Sequence, residues 1–136
     1  MKYVLLTMLF THCVWSQNLE KHQWKERVVL IKADQAHLQL AEQQFDILHK
    51  DSNGLIDRKI VVYKCLDEKC TFYNWKDHPQ TNDTTQTLKG FKIVLIGLDG
   101  GEKYSSTTVV TSDVIFSLID AMPMRRQELE ERKKND

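Results

Sequence analysis

Gly90-Phe91-Lys92-Ile93-Val94-Leu95-Ile96-Gly97-Leu98-Asp99-Gly100-Gly101-Glu102-Lys103 decides the fold. A β-branched, apolar centre of strand length is followed at once by Asp-Gly-Gly, a hairpin turn signal. Lys103 to Thr107 is therefore expected to run back as the antiparallel partner. Downstream, Thr111 or Ser112 caps a helix whose apolar face is Val114, Ile115, Leu118, Ile119 and Met122. Pro123 ends or kinks it, and the charged residues from Gln127 on read as a frayed tail. Upstream, Lys59 to Cys65 and Arg27 to Ala33 have unbroken apolar centres, as strands buried on both faces do. Between them, Leu38, Ala41, Phe45 and Leu48 recur at helical spacing. Asp34 is the expected N-cap, and Asp51-Ser52-Asn53-Gly54 the stop. Leu66 to Leu88 is irregular: Phe72, Tyr73 and Trp75 read as a short helical turn or a cover for the end of the sheet, and Gln80 to Thr87 as loop.

The order is β-α-β, a crossover, then β-β-α. Two strands joined by a helix should be parallel with a right-handed crossover. This is the element order of a thioredoxin-like α/β domain: a central mixed four-stranded sheet with helices on both faces.

The 136 residues leave room for one domain. Lys2, the apolar run Tyr3 to Phe10, and small Val14 and Ser16 ahead of Gln17 form a cleavable signal peptide over residues 1–16. The domain then spans 17–128, with a charged tail over 129–136. The leader's apolar run is shorter than the roughly 20 residues that cross a bilayer, and no later run is longer. Formal net charge is zero, which argues against a nucleic-acid partner. Cys65 and Cys70 remain after processing. In an oxidising compartment they read as a disulfide, with a free pair or pairing to another chain as alternatives.

Three segments carry a resemblance: Trp24-Lys25-Glu26-Arg27-Val28-Val29-Leu30, Gly90 to Lys103, and Leu118-Ile119-Asp120-Ala121-Met122-Pro123-Met124-Arg125-Arg126-Gln127-Glu128. Together they resemble P-DUDES, a secreted domain family of unknown function found in short exported bacterial proteins and in vertebrate matrix proteins. The likeness covers about Leu19 to Glu128. It implies a fold similar to thioredoxin and peroxiredoxin, and a role outside the cell. Two departures bear on chemistry. A redox member needs a thiolate after the first strand, where this chain has Ala33-Asp34-Gln35-Ala36-His37. It also needs a cis-proline before the third strand, where this chain has Lys89-Gly90-Phe91.

The remaining candidates are weighed by chemistry. Cys65 and Cys70 are spaced C-x4-C rather than C-x-x-C, so a structural role is expected over a redox one. With His78 they lack a fourth zinc ligand. His22, His37 and His49 read as surface residues. Asp99, Gly100 and Lys103 fix the hairpin turn; the glycines are no phosphate cradle, because a strand follows rather than a helix. In the Asp120, Met122, Pro123, Met124, Arg125, Arg126, Glu128 motif, the arginines either fork onto Asp120 and Glu128 to lock the C-terminus down or present a surface to an anionic partner. Asn82-Asp83-Thr84 is a glycosylation sequon, meaningful only in a host with that modification. The expected function is an exported, non-catalytic binding or structural domain without metal or cofactor, with an envelope or extracellular protein as partner. Trp24, Tyr73, Trp75 and the Arg125–Arg126 segment are its contact candidates. The alternative is a thiol-disulfide or peroxide-handling protein using Cys65 and Cys70.

Overall fold

Val28-Val29-Leu30-Ile31 sit in the centre of β1 (Arg27–Ala33), buried on both faces. A computed structural model describes residues 19–84 and 88–136. The leader reading of residues 1–16 and part of the polar tract before Leu88 lie outside the described residues. β1 pairs in parallel with β2 (Ile60–Leu66) and antiparallel with β5 (Phe91–Ile96). β3 (Lys69–Tyr73) and β4 (Gln80–Asp83) extend the sheet beyond β2, and β6 (Glu102–Ser106) pairs with β5. The order is β4-β3-β2-β1-β5-β6, a mixed sheet of six strands rather than the expected four. The extra two were hidden because β3 is held mainly by its disulfide and aromatics, and β4 is an edge strand exposed on both faces, without apolar alternation.

The helices α1 (Leu38–Lys50), α2 (Ser52–Asp57) and α3 (Ser112–Asp120) all pack on one face of the sheet. Ala41, Phe45 and Leu48 from α1, Leu55 from α2, and Ile115 and Ile119 from α3 meet Val29, Ile31, Ile60, Val62, Ile93 and Leu95 in one core. α4 (Pro123–Asn135) follows on the same side of β1, through Arg27. Among the described residues the other face carries no long helix, only Leu19 and the 3₁₀ turn Glu20–His22. Val28, Leu30, Val61 and Val94 there meet Leu19, Tyr63, Phe72 and Ile96.

Local chemistry explains the boundaries. Asp34 caps no helix; its backbone is extended, and its carboxylate accepts the Gly90 N–H at 2.6 Å. Gly54 does not stop α1 but lies within α2, where a Cβ would come 2.7 Å from the Phe116 ring. Pro123 opens α4 at its first turn, where a missing N–H costs nothing, and the supposed frayed tail is helical to Asn135. Gln44, fully buried, donates to the Val110 carbonyl at 3.0 Å and accepts the Val110 N–H at 2.8 Å, tying α1 to the segment before α3.

Cys65 and Cys70 are directly opposed across β2 and β3 and form a disulfide, with their Cα atoms 3.9 Å apart. The ring is small, so chain-entropy arguments give it about 2 kcal/mol at most. Replacing both cysteines by serine should lower unfolding free energy by no more than that and leave the far-ultraviolet circular dichroism unchanged. A global loss of structure would make the disulfide essential to the sheet.

Candidate functional site

Alternation along β1 sends Val28, Leu30 and Lys32 to the helix-free face, and their antiparallel partners Ile96, Val94 and Lys92 lie beside them. With the residues of the 3₁₀ turn Glu20–His22, the Gly97–Gly100 turn and Glu102, they line a cavity of about 570 Å³. Its floor is aliphatic and its rim is charged. A few convergent polar groups on an apolar floor are what small-ligand sites present.

His22 forms one wall. It is 5% exposed, which corrects its reading as a surface histidine. Its Nδ1 is bonded to the Glu26 carboxylate, and its Nε2 lies 2.6 Å from the Tyr63 hydroxyl. The carboxylate accepts from Nδ1–H, so Nε2 is free to accept the tyrosine proton. The Phe72 and Tyr63 rings pack against the imidazole at 5.4 and 5.6 Å. Burial lowers the His22 pKa; the Glu26 hydrogen bond and charge offset only part of this, and Lys21 and Lys25 add to the lowering. Burial also pushes the Tyr63 hydroxyl up to about 12. His37 and His49 are the more exposed histidines, and neither joins this chain.

Two segments singled out from the sequence meet at the cavity's end. In the hairpin turn, Asp99 accepts from Gly101 N–H at 2.9 Å and from Lys103 Nζ at 2.7 Å, and Gly100 takes a φ of 82°. Burial slightly opposes these bonds, yet the Lys103 and Gly101 donors hold the Asp99 pKa below its ordinary value. Gln23 of the Trp-Lys opening donates to the Asp99 carbonyl at 3.1 Å, and the Trp24 N–H donates to the Leu98 carbonyl at 2.7 Å. Trp24 has φ 65° and is 63% exposed. A bulky residue in that conformation stores about 1–3 kcal/mol of strain.

The arginine motif divides. Arg125 is buried and donates to Asp57 Oδ2 at 2.6 Å, the Asp57 carbonyl at 3.0 Å, Glu128 at 3.3 Å and Asp120 at 3.4 Å. Arg58 forks onto Asp120 at 2.9 and 3.0 Å, and Arg132 reaches Asp57 at 2.6 Å. Glu128 sits between Arg125 and Arg27, 3.2 Å from Arg27 Nη1. Arg27 is 1% exposed; its Nη1 reaches the Arg58 carbonyl at 2.8 Å, while Nε and Nη2 have no partner among the described residues. Arg126 and Met124 are exposed, and Met122 packs against the core. Asp57, Arg58 and Arg27 were missed in the motif because they are distant in sequence and belong to other elements.

Other candidates settle into structural places. Tyr73 and Trp75 are half-buried: both rings lie against Phe45, and Trp75 Nε1 donates to the Ile60 carbonyl at 3.0 Å. Asn82 is exposed on edge strand β4, in register with Cys70. Among the described residues, no three His, Cys, Asp or Glu side chains are grouped to hold a metal ion.

Arg125→Ala should destabilise the domain by about 3 kcal/mol, the low end for a broken buried pair, because water can reach Asp57 and Asp120. Arg126→Ala should stay within about 0.5 kcal/mol. Denaturant midpoints of the two variants test the division, and equal losses would refute it. The lowered His22 pKa means that the unfolded chain takes up the proton first. Stability from this group is therefore complete above about pH 6.5 and falls as pH drops below it, by at most about 1.4 kcal/mol per pH unit. His22→Asn should flatten that slope in melts between pH 7 and 5.

No curated protein and no solved structure matches the chain. Residues 18–128, which hold the sheet, the cavity and the ion-pair lattice through Glu128, match one family. The chain belongs to the domain of unknown function family DUF4174.

Proposed function

We propose that this is an exported, non-catalytic binding domain that receives its partner on the helix-free face of the sheet. The observation that carries the reading is the cavity over Val28, Leu30, Val94 and Ile96, walled by His22 and its partner Glu26. The signal-peptide reading of residues 1–16, with a domain over 17–128, supports export. So does the disulfide, which persists in oxidising compartments. No described helix is long and apolar enough to cross a membrane.

The finer fold reading is thioredoxin-like, in keeping with the P-DUDES resemblance. In its support, four contiguous strands run β2-β1-β5-β6, β1 and β2 are parallel, and β5 and β6 are antiparallel to their neighbours. α1 and α2 make the crossover, and α3 follows the hairpin. After β1, where a redox member has its thiolate, Asp34 is paired with His37 and held by the Gly90 N–H. The Gly90 hydrogen bond, then His37, lowers the Asp34 pKa. A carboxylate already bonded on both oxygens has no thiol chemistry to offer. The Cys65–Cys70 disulfide lies on the neighbouring strands β2 and β3, with Cys65 in register with Lys32 of β1; it is nearly buried, where an attacking thiolate has poor access.

An insulin-reduction assay and a peroxidase assay should both give background rates for the wild type and for Cys65→Ser. Activity abolished by Cys65→Ser would establish the thiol-disulfide alternative instead. Trp24→Gly relieves the positive φ, so its melting temperature should hold or rise. A fall of several degrees would make Trp24 a structural residue and remove it from the binding face.

A further inference from the structure

The charged groups around the groove are not evenly placed. Lys32 and Lys92 are register partners and stand side by side at one end of the floor. Glu102 is the register partner of Ile96 at the other end, and Glu20 also lines the cavity, from the 3₁₀ turn. Glu26 and Asp99 at that end are already committed, to His22 and to Lys103. Glu20, Glu102 and Lys92 make no ion pair among the described residues. The aliphatic floor lies between the two ends. From Val28 to Lys32 along β1 is about 13 Å at the usual strand rise.

We infer that the groove takes a short aliphatic peptide with both ends free, about four residues long in the extended state. Its carboxylate lies at Lys92, and its amino group at Glu102. This rests on the groove being the binding site, as proposed above, and adds the ligand class. A fatty acid would match the Lys92 end but set its tail against the Glu102 carboxylate. A basic peptide would match the acidic end but bring cations to Lys92. A zwitterion of this length, with apolar side chains for the floor, answers both ends at once.

The test uses the purified protein and three peptides: Val-Leu-Leu-Val with free ends, its N-acetyl form and its C-terminal amide, titrated by calorimetry. The free peptide should bind, and blocking either end should weaken binding at least tenfold. Lys92→Glu should remove the discrimination against the amide, and Glu102→Lys that against the acetyl form. Both substitutions are on exposed or half-buried side chains, and melting curves check that the variants fold. Equal binding of all three peptides, or binding of none, overturns the inference. Decanoate and 8-anilinonaphthalene-1-sulfonate separate the two levels. If either binds and Ile96→Asp abolishes it while the free peptide fails, the groove stands and the peptide falls. If no probe binds, both fall.

Discussion

Strand Arg27–Ala33 has no polar escape. Val28 to Ile31 are buried on both faces, and both edges of the strand are hydrogen-bonded, to Ile60–Leu66 on one side and Phe91–Ile96 on the other. An apolar centre of this kind can only be an interior strand, because at an edge it would leave backbone donors and acceptors without partners. Every other element is placed by that demand. The helices supply one apolar cover, the parallel neighbour requires a crossover, and the antiparallel neighbour needs only a hairpin. The odd-numbered residues of the strand face the helices and build the main core. The even-numbered ones face away and floor the groove. One strand therefore sets both stability and the candidate site.

The groove and the ion-pair lattice do different work. The lattice around Arg125 joins the end of α2, the end of α3 and the start of α4, using carboxylates whose pKa values are pulled down by their arginines. Its geometry is closed on itself. Arg27 remains incompletely bonded within it, a cost that buried ion pairs often carry in exchange for a defined arrangement. The groove is the opposite case: Glu20, Lys92 and Glu102 line it and make no ion pair among the described residues.

The strands and helices with strong periodicity were legible in the sequence, because β1, β2, β5, α1 and α3 each bury an apolar pattern that matches their geometry. The Asp-Gly-Gly turn was legible for the same local reason. β3 and β4 were not, since Thr71, Thr81 and Asn82 have no apolar alternation and pair only because the Cys65–Cys70 hairpin presents an edge. The second helix was masked by Gly54, whose lack of a side chain serves the Phe116 ring and not a turn. His22 carried no signal at all: a histidine in a polar lead-in becomes buried only because Tyr63, distant in sequence, comes to stand over it. Arg125 and Arg126 are adjacent and chemically identical, so helical phase alone separates the buried one from the exposed one.

The Arg27–Glu128 contact links residues 101 apart in sequence, from the first strand to the last helix. During synthesis, β1 emerges long before the carboxylate that neutralises its arginine. The intermediate chain holds a cation that cannot be buried at low cost, and most of its loop closures must be made before that contact rewards them. The complete domain therefore closes late, near the end of translation.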